Sequence, residues 1–175
     1  KIAILGTGYV GLVAGACFSD KGNEVACIDL NHERINLLKS GKIPFYEPGL
    51  EDMIKRNVSA NRLKFSILDE ISLNEFDAIF VSVGTPDDGS GKTDLSHVKN
   101  AVNYIVKNVT SPKIIVIRST VPAGTCELLQ SEITNLGIKH LVCSNPEFTK
   151  EGDAINDFMN PDRVVVGGPD LKEIK

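Results

Sequence analysis

Short apolar runs alternate with amphipathic stretches along almost the whole chain. Lys1–Leu5 is the first such run and stops at a glycine. From Tyr9 to about Lys21 the residues are small and apolar, predicting a helix closed by Gly22. Glu24–Asp29 reads as a second strand, followed by a helix from about Asn31 to Ser40 that ends at Gly41. Beyond the loop Ile43-Pro-Phe-Tyr-Glu-Pro48, another helix is predicted from Gly49 to about Asn57. Leu63–Ile67 and Ala78–Val83 supply the next two strands. Leu95, Val98, Ala101, Val102, Ile105, Val106 and Val109 then recur at helical spacing. Lys113–Ile117 is β-branched and strand-like, and Gly124 to about Leu136 reads as the helix after it. His140–Cys143 and Arg163–Val166 complete the predicted strands, and Asp170–Lys175 resembles a helix cut short. Strands separated by helices imply right-handed crossovers and a doubly wound, mainly parallel α/β sheet covered on both faces, in one domain spanning 1–175.

Composition narrows the function classes. Apolar residues at 42% and charged residues at 24% describe a folded domain. A net charge of -4 offers no basic footprint, which argues against nucleic acid as a partner. No apolar run approaches the roughly 18 residues of a membrane span. No secretory signal is visible either, so a cytoplasmic protein is expected. Cys17, Cys27, Cys126 and Cys143 form no CxxC pair and read as reduced structural thiols. His32, His97 and His140 lack ligand-like neighbours, and no metal is expected.

Gly6-Thr-Gly-Tyr-Val-Gly11 follows a strand and opens a helix, the context in which GxGxxG marks a dinucleotide site on a Rossmann-like fold. Gly6 would permit the tight turn, Gly8 the approach of a pyrophosphate, and Gly11 close packing of the helix. The helix start at Tyr9 and Val10 offers free N–H groups and a partial positive charge to phosphates. Asp29 ends the next strand, placed to accept hydrogen bonds from both ribose hydroxyls and to repel a 2′-phosphate. NAD is therefore expected over NADP, although Arg34, a turn further on, is a residue type that also holds a 2′-phosphate. Gly89-Ser-Gly-Lys-Thr93 mimics the end of a P-loop, but Pro86 stands where the first glycine must be.

Two further segments sit where strands end. Val83-Gly-Thr-Pro86 and Arg118-Ser-Thr-Val-Pro-Ala-Gly124 bring Thr85, Ser119 and Thr120 to the carboxyl edge of the sheet, where open α/β folds bind ligands. Each hydroxyl alone serves equally well as a cap or turn former. Glu147 and Glu151 follow the strand His140–Cys143 and would share one face if their segment were helical. Like charges so placed are tolerated when solvated, or when a ligand or cation uses them, and a carboxylate there could act as a general base.

Gly-Thr-Gly-Tyr-Val-Gly-Leu12, Tyr46-Glu-Pro-Gly-Leu50, Val83-Gly-Thr-Pro86, Ser119-Thr-Val-Pro-Ala-Gly124, Asn145-Pro-Glu-Phe148, Lys150-Glu-Gly152 and Asp157-Phe-Met-Asn-Pro-Asp-Arg163 run from end to end. Together they resemble the UDP-glucose/GDP-mannose dehydrogenase family, most of all its UDP-glucose 6-dehydrogenase branch. The resemblance implies oxidation of a UDP-sugar C6 alcohol to the carboxylate with two NAD, through a cysteine-bound intermediate. It implies Asp29 and Arg34 at the adenosine ribose, and Thr85 and Ser119 along the cofactor. Thr120 would position water, Glu147 would assist proton transfer, and Glu151 would lie near nicotinamide and substrate. Glu147, Phe148, Thr149 and Lys150 would form the substrate contacts. Thr149 stands where the family usually has leucine, and Lys150 where arginine is commoner. The family's nucleophilic cysteine lies in a glycine-rich stretch of a later domain that none of the four cysteines matches. The chain is thus expected to be the amino-terminal NAD-binding domain of a longer, homodimeric enzyme, inactive alone. The alternatives are a related UDP-N-acetylhexosamine or GDP-mannose dehydrogenase, or a stand-alone NAD-binding regulatory module.

Overall fold

The computed structural model describes residues 1–169, so the predicted helix at Asp170–Lys175 lies outside the described residues. One sheet contains β1 (Ile2–Leu5), β2 (Val25–Asp29), β3 (Leu63–Ile67), β4 (Ala78–Val81), β5 (Ile114–Ile117) and β6 (Leu141–Ser144). The strand order is β3-β2-β1-β4-β5-β6, and every neighbouring pair is parallel. The order reverses between β1 and β4, and a ligand crevice opens where such a sheet changes direction.

Alternation along the strands builds two apolar layers. Ile4, Cys27, Phe80, Val116 and Cys143 point to one face, where α1 (Tyr9–Asp20), α2 (His32–Lys39) and α3 (Leu50–Ser59) pack. Leu5, Ile28, Val81, Ile117 and Val142 point to the other, under α4 (Ser96–Asn108) and α5 (Thr125–Asn135). Helix α1 is buried on nearly every side because it lies between the sheet and α3, which explains its uniformly small, apolar sequence. At the far end of α1, Asp20 accepts hydrogen bonds from Arg56 and Asn57 of α3, at 2.8 and 3.0 Å. The Arg56 bond is the main reason the Asp20 carboxyl is held down at about 2. Burial pushes the thiols of Cys17 and Cys27 up to about 12 and that of Cys126 to about 11, and it also raises Cys143. All four cysteines are free.

The predicted strand at Arg163–Val166 is absent. That stretch has no regular structure and meets the sheet only through an antiparallel bridge between Gly167 and Ser144. Its valines are exposed, Val164 at 69%. Along the outer edge of β6, the Val142 N–H already donates to Gln130 Oε1 at 2.7 Å and the Gln130 amide donates to the His140 carbonyl at 3.2 Å, so a side chain of α5 occupies groups that a further strand would need. The sequence reading also missed two 3-10 turns, Leu68–Glu70 and Leu73–Glu75, and a short helix, α6 (Ala154–Met159). Among the described residues, no helix is long and apolar enough to cross a membrane.

Candidate active site

The glycine-rich loop connects β1 to α1 and bends at Gly6, whose φ of +98° suits a residue without a side chain. A Cβ on Gly11 would lie 2.0 Å from the Gly6 carbonyl oxygen, so the first turn of α1 closes tightly onto the loop. By contrast, nothing lies within 4 Å of where a Cβ on Gly8 would be. Gly6 and Gly8 line a cleft of about 840 Å³ together with Asp29, Arg34, Ser82, Val83, Gly84, His97, Asn100 and Tyr104.

Asp29 ends β2 inside this cleft. Its Oδ2 accepts from the Thr7 N–H at 2.8 Å and the Thr7 hydroxyl at 2.7 Å, and its Oδ1 accepts from the Asn31 N–H at 3.0 Å. Arg34 stands 3.4 Å away. Burial pushes the Asp29 carboxyl upward, but these N–H and O–H donors and Arg34 outweigh it and hold the group below its ordinary value. Asp29 is therefore an anion fixed in place before any ligand arrives. Ser82 Oγ, buried in the same cleft, has no hydrogen-bond partner among the described residues. A backbone cradle, an oriented anion and an unsatisfied hydroxyl together fit a dinucleotide.

The two hydroxyl-bearing loops are tied to each other at the carboxyl edge. Ser119 Oγ donates to the Val83 carbonyl at 2.7 Å, and Thr85 Oγ1 donates to the Thr120 carbonyl at 2.9 Å. Ser119 is buried, whereas Thr120 is exposed. His97 of α4 places Nδ1 3.1 Å from the Gly84 carbonyl, which can only accept, so that ring nitrogen carries the proton.

A second cleft, of about 950 Å³, collects Glu147, Phe148, Thr149 and Lys150 with Arg118 and Asn145. The segment after β6 is not helical, so Glu147 and Glu151 do not share a helix face. The sequence made that face conditional on a helix, and the irregular chain from Asn145 to Lys150 and the turn at Glu151-Gly152 remove it. Glu147 instead accepts from both the backbone N–H and the hydroxyl of Thr149, the former at 2.7 Å. Glu151 is exposed at the turn. Arg118, only 7% exposed, donates to Asn145 Oδ1 at 2.7 Å and lies 5.2 Å from the Phe158 ring, while its Nε has no partner among the described residues. Burial lowers its pKa and nearby Glu147 raises it.

Of the expected residues, Gly6, Gly8, Asp29 and Arg34 line the first cleft, and Glu147, Phe148, Thr149 and Lys150 the second. Tyr9, Val10 and Gly11 begin α1 behind the first cleft, and the Tyr9 side chain turns away to a buried carboxylate, Glu47. Thr7, Glu47 and Arg118 were missed. Each had a signal: Thr7 lies inside the glycine motif, Glu47 is a lone charge among aromatic and proline residues, and Arg118 extends an otherwise apolar strand.

This geometry defines a dinucleotide-binding domain with an acidic loop beside its cleft, the arrangement of a nucleotide-dependent dehydrogenase. The chain belongs to the UDP-glucose/GDP-mannose dehydrogenase family, whose NAD binding domain model matches residues 1–175. It is 45% identical to UDP-glucose 6-dehydrogenase TuaD of Bacillus subtilis, over 98% of this chain and 38% of that protein. It is 44% identical to UDP-glucose 6-dehydrogenase of Rhizobium meliloti, over 95% of this chain and 39% of that protein. Among solved structures, a UDP-glucose dehydrogenase from Pyrobaculum islandicum superposes with a TM-score of 0.91 at 37% identity, covering 99% of this chain and 41% of that one. A GDP-mannose dehydrogenase from Pseudomonas aeruginosa gives 0.90 at 32% identity, covering 98% of this chain and 42% of that one. The chain thus spans about 40% of the length of the relatives it matches, and it is the NAD-binding domain of this family.

Proposed function

We propose that this domain serves a UDP-glucose 6-dehydrogenase, which oxidises UDP-glucose to UDP-glucuronate with two NAD. The observation that carries the reading is the pairing of two features on one sheet edge. A cleft with an oriented Asp29 opens where the strand order reverses, and the loop bearing Glu147 and Glu151 is hydrogen-bonded to the first turn of the dinucleotide helix. Relatives named UDP-glucose 6-dehydrogenase, at 45% and 44% identity, support the choice of sugar.

When bound, NAD supplies the hydride acceptor. Gly6, Gly8 and the N–H groups of Tyr9 and Val10 would cradle its pyrophosphate, with Gly11 letting the helix start close by. Asp29 would accept from the adenosine ribose, and its charge disfavours a 2′-phosphate. Arg34, already paired with Asp29, is less available to attract that phosphate. Ser119 and Thr85 would shape the cofactor wall by holding the loops after β4 and β5 together. Glu147 would act as proton acceptor with Thr120 ordering a water, and Glu151 would stand near the nicotinamide. Phe148, Thr149 and Lys150 would line the sugar-nucleotide side. The reading carries with it a homodimeric, cytoplasmic enzyme whose nucleophilic cysteine lies outside this domain.

The test is turnover by the natural full-length protein. It should release two NADH per UDP-glucose, and calorimetry should show NAD binding tighter than NADP. No oxidation of UDP-glucose while GDP-mannose or a UDP-N-acetylhexosamine is consumed would refute the choice of sugar, and tighter NADP binding would refute the role of Asp29.

A further inference from the structure

Glu47 is a carboxylate at 5% exposure, in the loop between α2 and α3, with no assigned part in the chemistry. Burying a charge there is costly unless donors surround it. They do. Its Oε2 accepts from the Tyr9 hydroxyl and from the Gly152 N–H at 2.8 Å, and its Oε1 accepts from the Ala154 N–H at 2.9 Å. The Gly152 N–H also reaches the Tyr9 hydroxyl at 3.1 Å. Burial would raise the Glu47 carboxyl, but the Tyr9 hydroxyl and the backbone N–H groups outweigh it and lower it below the usual value. Tyr9 shows the complementary effect: burial and the Glu47 hydrogen bond push its phenol up to about 12.

What these donors belong to is the informative part. Tyr9 is the first residue of α1, adjoining Gly8 of the cofactor cradle. Gly152 follows Glu151 directly, and its φ of +91° fixes a turn that an L side chain would strain. Ala154 opens α6, whose own cap residue Asp153 makes no side-chain cap bond, so Glu47 supplies that acceptor from more than a hundred residues away. One carboxylate therefore joins the dinucleotide turn to both sides of the turn at Glu151–Asp153. The apolar members of the loop, Ile43 and Phe45, already pack against the core, so filling space does not call for a charge at Glu47.

We propose that Glu47 is a positioning residue: it bolts the acidic loop to the first turn of the dinucleotide helix and thereby sets where Glu151 stands relative to bound cofactor. The consequence for turnover rests on the dehydrogenase reading above, whereas the bolt itself does not.

The experiment uses the natural full-length protein and the variants Glu47→Gln and Tyr9→Phe. In Glu47→Gln an amide NH2 must face at least one of the N–H donors, so the Gly152–Ala154 turn loosens with little change in volume. Amide hydrogen exchange at Gly152 and Ala154 should quicken about 10-fold or more, while Leu12–Ala16 of α1 stays as protected as in the wild type. In the same variant kcat, normalised to active sites, should fall about 10-fold while the NADH dissociation constant moves by less than about threefold. Tyr9→Phe keeps the carboxylate and two of its donors, and should show the same pattern at about two- to threefold in kcat. A merely structural Glu47 would lower the melting temperature and the active fraction but leave kcat per active site intact. That result, or unchanged exchange at Gly152 and Ala154, overturns the proposal. If the wild type oxidises no sugar nucleotide, the dehydrogenase reading falls. The exchange comparison still decides the bolt, with faster exchange supporting it and equal exchange overturning it.

Discussion

The two clefts differ in how completely each is finished. In the dinucleotide cleft, Asp29 has its oxygens occupied by Thr7 and Asn31, and the loop above it is closed by the contact between Gly6 and Gly11. In the second cleft, Arg118 leaves a buried Nε without a partner among the described residues, Phe148 is half exposed, and the lining chain from Asn145 to Lys150 has no regular structure. The first site is rigid because strands end in it, and strand ends are held by the sheet. The second also rests on the sheet, through Phe80, Val116 and Cys143, but its outer wall is a loop pinned at a few points. A cofactor used by a whole family needs a fixed cradle, whereas a wall made by a loop can be altered without disturbing the sheet.

The sharpest way to break this contrast is Gly11→Ala. The added methyl would sit 2.0 Å from the Gly6 carbonyl, which forces the loop apart. Overpacking of this kind costs about 1–3 kcal/mol, and NADH binding followed by nicotinamide fluorescence should weaken about 100-fold. An affinity within a few-fold of wild type would show the cradle to be more pliable than its geometry says. Next in size, Asp29→Ala strands the Thr7 and Asn31 donors, at about 1–3 kcal/mol of stability. NAD affinity should drop about 10-fold, and calorimetry should find much of the preference over NADP gone.

The acidic side should respond more gently. Thr149→Val removes the hydroxyl that donates to Glu147 but keeps the backbone N–H bond to the same oxygen. Turnover by the full-length protein should fall about two- to fivefold, with Thr149→Ser close to wild type, because one of two donors is lost. The smallest effect lies far from both clefts. Asp20 is held at about 2 against an ordinary 3.8, so its contribution is complete above that ordinary value and fades as pH falls towards the lower one. Melting temperatures of wild type and Asp20→Asn should therefore differ at pH 7 and converge in strong acid.

Much of this was legible beforehand, unevenly and for physical reasons. All six strands and α1 to α5 came from periodicity and glycine stops, which report on local burial, and Asp29 came from its distance after the glycine loop. The region after β6 defeated the same method. Val164, Val165 and Val166 have strand composition, but pairing depends on what the sheet edge offers, and composition does not record that. The i to i+4 spacing of Glu147 and Glu151 means nothing in a chain that is not helical. Glu47 was quoted within a motif without a role, because its partners lie more than thirty residues away on either side. Resemblance located the motif, and only packing revealed what it holds.

The deep burial of Cys17, Cys27 and Cys143, with Cys126 only partly accessible and also held as a neutral thiol, has a practical consequence. Thiolate is the species that alkylating reagents attack, so these four sulfurs should remain nearly inert to iodoacetamide at neutral pH. The domain is a silent background for such labelling. Rapid inactivation of the intact enzyme by that reagent would mark a reactive sulfur contributed from elsewhere, with no need to mutate the domain's own cysteines first.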